Sequence, residues 1–152
     1  MQLPVIASCD NLRALHRRSD EDMTDSDHWC IAHHRLAMEH ADEAEQTDDR
    51  SRKRSALVNA MFEEAEAANL LPVSAESEPT RSVLYRSAAE IALSISLPKS
   101  CEHLANEGLS GSPPPEIAAE LQDVLRRCEE SKPTPPPTSV PVADPRDEGI
   151  ES

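Results

Sequence analysis

The sequence predicts an all-α fold, and three observations support that class. Apolar side chains recur every three or four residues through most of the stretch from Glu78 to Arg127. The chain holds one Trp, one Tyr and one Phe against 13 prolines, so its core must be small and built from Ala, Leu and Ile. No run alternates apolar and polar residues for long enough to predict a strand. Closely packed helices therefore fit this composition better than a sheet.

Two helices are predicted in the first half of the chain. The first begins at about Ser26 or Asp27 and ends near Thr47. The inner side expected for it carries Trp29, Leu36, Ala37, Ala41 and Ala44. The second runs from Arg52 to Leu71, with Ser51 as its cap. Its inward residues are expected to be Leu57, Ala60, Met61, Glu64 and Ala68 or their neighbours.

Three further helices are predicted after the loop from Pro72 to Pro79. The third starts at Pro79 or Thr80 and runs to about Ser96, with Ile91 opposite the inward side of the fourth. Pro98 fits the first turn of the fourth helix, where a missing N–H has no cost. Gly111 is placed to stop that helix. The fifth carries an apolar stripe of Ile117, Leu121, Val124, Leu125 and Cys128.

The third and fourth helices carry the spacing of a tetratricopeptide repeat. The positions of that pattern are held by Tyr85, Ala88, Ala89, Ala92, Cys101, Ala105 and Pro113. Tyr85 stands where Trp is usual, Cys101 where Ala is usual and Ala105 where an aromatic is usual. The chain also resembles a family of short bacterial proteins with tetratricopeptide-like helices, over about residues 28–128 and strongly only from Glu78 onward. The resemblance implies antiparallel hairpins of about four helices plus a capping helix and a cytoplasmic setting, and it carries no catalytic residue across.

Three regions follow from these patterns. Residues 1–26 are expected to be a mobile N-terminal segment without a packable stripe, and Met23 is an alternative start. Residues 27–130 are expected to form the tetratricopeptide-like helical domain. Residues 131–152 are expected to be a disordered, Pro-rich acidic tail, since they hold too few large apolar side chains to pack. Residues 6–9 imitate a lipoprotein cleavage box, but the basic residues and long apolar run of an export signal are missing.

The charge balance bears on possible partners. With 15 basic and 29 acidic residues the net charge is −14, which repels phosphate backbones and anionic membrane surfaces. No apolar run approaches the roughly 18 residues that would span a bilayer. The sequence therefore predicts neither a nucleic-acid partner nor a membrane partner, and the expected location is cytoplasmic.

Residues that could carry chemistry are present but poorly arranged. A cluster of His28, Cys30, His33, His34 and His40 invites a metal reading, yet helical geometry spreads these side chains around and along the axis. Cys101 and Cys128 lie on apolar stripes and are expected to pack in the core as free thiols. No paired nucleophile and base and no glycine-rich phosphate loop is found. The chain is predicted to be no enzyme and to have no catalytic residue, metal or cofactor.

The function that these observations favour is a non-enzymatic protein–protein interaction module or small adaptor, with another protein or a peptide as its partner. In such repeats the first helix of each pair lines the concave side. The residues predicted to contact the partner are Val83, Arg86, Glu90 and Leu93. The same pattern also fits residues that are merely solvated. The alternative function is a regulatory or accessory subunit that docks on a larger enzyme through apolar helix faces.

Overall fold

The computed structural model describes Leu12, Leu15 and residues 18–138, and all regular structure within them is helical. This confirms the all-α class. A short 3₁₀ turn at Ala75–Ser77 lies between the two hairpins. The helices are α1 (Asp25–Gln46), α2 (Arg50–Asn69), α3 (Thr80–Ser94), α4 (Pro98–Leu109) and α5 (Pro115–Ser131).

The first two helices begin at side-chain caps. At the start of α1, the Thr24 hydroxyl accepts from the Asp27 backbone N–H, and the Asp27 carboxylate accepts from the Thr24 N–H. This reciprocal capping box satisfies two backbone donors at once. At α2, the Asp49 carboxylate accepts from the Arg52 N–H at 2.8 Å, so the cap is Asp49 and the prediction of Ser51 is wrong.

The α1 and α2 helices form an antiparallel hairpin. His33, in the first half of α1, pairs with Glu63 in the second half of α2. Glu43, near the end of α1, pairs with Arg52 near the start of α2 at 3.0 Å. The early part of α1 therefore lies beside the late part of α2, and the end of α1 lies beside the start of α2. This is expected when a short connection joins antiparallel neighbours.

Helix α3 is the centre of the molecule, since it packs against α2, α4 and α5. It is buried on nearly all sides, which is typical of a helix surrounded by others. Ile91 is fully buried as predicted, but it packs with Ala44, Leu57 and Ala60 of the first hairpin. The expectation that it faces Cys101 and Leu104 is wrong, since both of those residues belong to the other apolar cluster.

Buried Arg81 is satisfied inside the fold. Its Nη1 donates to the Glu107 carbonyl oxygen at 3.1 Å, and its guanidinium carbon lies 4.9 Å from the centre of the Tyr85 ring. A buried charge is tolerated where hydrogen bonds and an aromatic face replace water. Arg81 therefore ties α3 to the end of α4.

The turn between α3 and α4 is closed by backbone hydrogen bonds. Leu97 N–H donates to the Ala92 carbonyl at 2.9 Å, and Ser96 N–H donates to the Leu93 carbonyl at 3.1 Å. These are the two bonds of a Schellman motif, and Ser96 takes the positive φ of 60° that the motif requires. Helix α3 thus ends two residues before the predicted Ser96, and Pro98 opens α4 as predicted.

Helix α5 packs closely on α3 and α4. A Cβ added at Gly108 of α4 would meet Leu121 of α5 at 3.0 Å and Tyr85 of α3 at 3.1 Å, so the three helices meet at a residue without a side chain. Cys101 and Cys128 are buried as expected, but they form a disulfide between α4 and α5. The expectation of free thiols at these two positions is therefore wrong.

The segment before α1 contributes to the core. Leu12 and Leu15 are both buried in the main apolar cluster, contrary to the expectation that this segment does not pack. Arg18 Nη1 lies 3.0 Å from the carboxylate of buried Asp27. The candidate cleavage box at residues 6–9 and the tail beyond residue 138 lie outside the described residues. None of the described helices is long and apolar enough to cross a membrane.

Candidate functional site

Two of the four residues predicted to contact a partner pair with α5, and the other two are buried or half-buried. Val83 is only 3% exposed, and Leu93 is half-buried against the main core. Arg86 pairs with Glu120 and Glu90 pairs with Arg127, and both of those partners belong to α5. Val83 is therefore buried within the fold, and Arg86 and Glu90 are engaged in ion pairs. Their role in binding stays a prediction.

Helix α1 turns its largest apolar side chains outward. Trp29 is 62% exposed and Leu36 is 41% exposed, although the sequence pattern placed both on the inner side. Ala37 and Ala44 are buried as predicted. The buried face of α1 therefore keeps these two alanines, and Trp29 and Leu36 lie one residue, or about 100° around the helix, away from the buried row.

In place of Trp29 and Leu36, α1 buries Cys30 and His34. His34 Nδ1 hydrogen-bonds to Glu64 Oε2 of α2 at 2.8 Å, and the two side chains are 1% and 0% exposed. Within the described residues, His34 Nε2 and Glu64 Oε1 have no hydrogen-bond partner. A buried polar pair with unsatisfied atoms is costly to desolvate. Hydrophobicity alone therefore does not explain why α1 buries His34 instead of Trp29.

The surroundings of this pair disfavour thiol chemistry at the neighbouring Cys30. Burial raises the pKa of Glu64, and hydrogen bonds from His34 and from Ser87 of α3 act in the opposite direction. Burial, followed by the nearby Glu64 and Asp27 carboxylates, raises the pKa of the Cys30 thiol to about 12. A thiol with so high a pKa is protonated at neutral pH and is a poor nucleophile. The pair is therefore best described as a structural link between α1 and α2.

The exposed side of α1 carries a regular row of side chains. Trp29, His33, Leu36, His40 and Glu43 follow one another at alternating spacings of four and three residues. We call this row the outer seam. Spacing of this kind places all five side chains on one stripe of the helix, as in the packing seam of a coiled coil. The rings of Trp29 and His33 lie 6.4 Å apart, and His33 Nδ1 contacts Glu63 Oε2 at 2.5 Å.

A polar pocket lies at the C-terminal end of the outer seam. It has a volume of about 410 Å³. Its lining residues, which we call the acidic pocket, are Glu39, Asp42, Glu43, Gln46, Thr47 and Arg52. Arg52 pairs with Glu43 at 3.0 Å. Among the described residues no ion-pair partner is present for Glu39 or Asp42, so the pocket keeps a net negative charge.

A second apolar surface lies between α2 and α4. Phe62 is 62% exposed there, beside a groove of about 270 Å³. The groove is lined by Met61, Phe62, Ala65, Ser100, His103 and Leu104. Phe62 is the one exposed large apolar side chain in this lining, whereas the outer seam carries two, Trp29 and Leu36.

The histidine cluster does not converge on a point. His28 Nδ1 contacts the Thr24 carbonyl oxygen at 3.0 Å at the start of α1, whereas His33 and His34 pair with different glutamates. His40 lies 3.9 Å from Glu43. In the part of the chain that the structure describes, no group of three or more His, Cys, Asp or Glu side chains is arranged to hold a metal ion.

Comparisons with protein-family models, curated proteins and solved structures give no match to this chain. The tetratricopeptide resemblance therefore stays a prediction. The candidate site is identified from the exposed residues of the chain alone.

The sequence of α1 contains a second row of residues that could have predicted the outer seam, but the apolar side chains of this row are smaller than Trp29 and Leu36. Cys30, His34, Ala37, Ala41 and Ala44 repeat the same alternating spacing one residue further along. Two rows one residue apart are both possible inner faces by periodicity. The row of small side chains is the one that allows α1 to lie close to α2, and the structure buries most of it.

Proposed function

We propose that this protein is a protein–protein interaction module whose partner covers the outer seam of α1. The observation that supports this most strongly is the exposure of Trp29 and Leu36 on one stripe of a helix that buries His34. A free surface of this kind costs solubility, and Trp is among the residues most enriched at binding hot spots. The predicted role in binding is retained, while the surface moves from α3 to α1.

Covering this stripe would supply part of the free energy that specific binding needs. Burial of one large apolar side chain contributes roughly 1.5–3 kcal/mol. Because Trp29 and Leu36 are 62% and 41% exposed, covering both would supply roughly 1.5–3 kcal/mol toward association, before entropy is lost. Polar residues at the edge of the stripe would add specificity.

The second candidate function is an accessory subunit that docks on a larger enzyme through apolar helix faces. The apolar character of the exposed stripe favours docking of a folded surface over capture of a polar peptide. The same stripe serves both functions, and identification of the partner decides between them. The absence of any catalytic role of the chain itself is part of the proposal.

The cellular location is a separate part of the proposal. The sequence resemblance favours the cytoplasm, but the Cys101–Cys128 disulfide is uncommon in compartments that keep thiols reduced. Rapid alkylation of thiols in intact cells, followed by mass spectrometry of the two cysteines, measures their state directly. Alkylation of both thiols supports the cytoplasm, whereas a protected disulfide contradicts it.

The binding surface is tested by affinity capture from cells with quantitative mass spectrometry. The variant W29S/L36S removes the exposed stripe and is expected to lose the specific partner. The matched variant F62S/V73S removes two side chains that are 62% and 64% exposed elsewhere, and it is expected to retain the partner. Equal capture by both variants, or no specific partner of the wild type, contradicts the proposal. Circular dichroism confirms the fold of each variant.

A further inference from the structure

We infer that the partner segment on the outer seam is an amphipathic helix with Lys or Arg residues at the end that lies over the acidic pocket. This inference rests on the proposed function, because it assumes that the outer seam is the binding surface. It adds the secondary structure, the charge and the placement of the partner.

The spacing of the outer seam favours a helix as the bound element. Trp29, Leu36 and Glu43 are each seven residues apart, and His33 and His40 lie between them. Side chains at these spacings form the holes into which the side chains of a second helix pack. The row from Trp29 to Glu43 extends about 21 Å, which four turns of a partner helix would match.

The charges along α1 give the partner a direction. The Trp29 end of the outer seam is aromatic and apolar, whereas its other end meets Glu39, Asp42 and Glu43 in the acidic pocket. The last turn of α1 carries no basic residue to offset the negative end of the helix dipole. A cationic side chain placed there would meet unpaired carboxylates and the helix terminus together.

Electrostatics disfavour two other occupants of the outer seam, a second copy of the chain and a nucleic acid. A second copy of the chain carries a charge of −14, so two copies would bring two acidic surfaces together. Nucleic acid would be repelled for the same reason. A basic helix is the occupant that supplies both an apolar stripe and complementary charge.

Trp29 is the sole tryptophan of the chain and therefore reports directly on binding. The probe is a synthetic helix of about 18 residues, without aromatic side chains, that carries a Leu stripe and Lys residues in its last turns. A twin peptide has Glu in place of Lys. We expect the Lys peptide to shift Trp29 emission to the blue with saturation, and the Glu peptide to bind at least about tenfold more weakly.

A charge variant of the protein locates the basic end. E39Q/D42N is expected to weaken binding of the Lys peptide by roughly tenfold. The matched variant E76Q/E116Q removes the same number of charges at exposed positions elsewhere and should bind as the wild type does. Because both variants change the net charge equally, a difference between them reports on the acidic pocket.

Four results overturn the inference. These are equal binding of the two peptides, equal binding by the two charge variants, no shift of Trp29 by the Lys peptide, and a solution dimer that W29S/L36S dissociates. Affinity capture with W29S/L36S and F62S/V73S remains a separate test of the proposed function. If only the peptide experiment fails, the outer seam still binds a partner, but the partner is not a basic helix.

Discussion

At the scale of single residues, His34 and Glu64 form a buried polar contact between α1 and α2. Their hydrogen bond of 2.8 Å is sheltered from water, and it links α1 to α2 where apolar side chains would otherwise meet. Helical periodicity could predict that Glu64 points inward, and it did. It could not predict His34, because a histidine is a favourable core residue only once its partner across the helix interface is known.

Replacement of one member of this pair should be far more harmful than replacement of both. We expect His34→Leu to destabilise the fold by roughly 3–5 kcal/mol, because buried Glu64 then loses its hydrogen-bond partner on α1. The double variant H34L/E64L should recover most of that loss, since two apolar residues of similar size need no hydrogen bond. Urea denaturation of both variants measures the difference. If the two variants are equally destabilised, the pair is not coupled.

The raised pKa of Glu64 predicts a pH dependence of stability. Its contribution is fully present below the ordinary value of 4.5 and is lost as the pH rises through the raised value in the fold. Glu64→Gln removes this titration and retains a neutral side chain of similar shape. The difference in unfolding free energy between the wild type and E64Q should therefore move against the wild type from about pH 4.5 upward. A difference that does not change with pH, or that favours the wild type as the pH rises, contradicts the raised pKa.

At the scale of helices, the periodicity of the sequence predicted each of the five helices but not every face. In α5 one apolar stripe dominates, and in α3 the predicted stripe is buried together with most of the helix, so the buried positions Leu84, Ala88, Leu121 and Val124 agree with the prediction. In α1 two rows with the same spacing compete. Close packing of α1 against α2 favours burial of the row with smaller side chains and leaves Trp29 exposed. The buried face of α1 therefore depends on α2 as well as on α1 itself.

The sequence pattern of α3 could not predict that Arg86 and Glu90 form ion pairs with α5, because their partners are distant in the sequence. Arg86 and Glu90 are separated by 34 and 37 residues from the α5 side chains that pair with them, Glu120 and Arg127. A pattern within one helix carries no information on such a pair. The exposure of a charged residue therefore could not be inferred from its position off the apolar stripe.

The two ion pairs between α3 and α5 allow a charge-reversal experiment. R86E/E90R places like charges opposite Glu120 and Arg127, and we expect a loss of roughly 1–2 kcal/mol in stability. Adding E120R/R127E restores both pairs in reversed polarity and should recover most of the loss. Thermal denaturation of the double and quadruple variants provides the measurement. If the quadruple variant is no more stable than the double variant, the pairs do not join these helices.

At the scale of the whole molecule, the segment before α1 belongs to the folded unit through two leucines. Leu12 and Leu15 are only 1% and 4% exposed and belong to the main apolar cluster. Their burial could not be predicted from the neighbouring sequence, because two apolar positions among charged residues are too few to form a recognisable stripe. Two apolar residues can be identified as a buried face only when the surface that they pack against is known.

Truncation of these two side chains should therefore be costly. We expect Leu12→Ala and Leu15→Ala to cost roughly 2–5 kcal/mol each, as for other buried leucines. The control is Leu36→Ala, a leucine at the surface, which should change stability by no more than about 0.5 kcal/mol. Chemical denaturation compares the three variants. If all three resemble the wild type, residues 12 and 15 do not pack in the core.

The central claim is that Trp29 is exposed in the free protein and covered in the complex. Acrylamide quenching of fluorescence tests it most directly, because Trp29 is the sole tryptophan in this chain. With the captured partner identified, and its own tryptophans replaced where necessary, we predict strong quenching of the free chain and strong protection in the complex. Equal quenching in the two states, or a Trp29 already protected in the free chain, would contradict the claim.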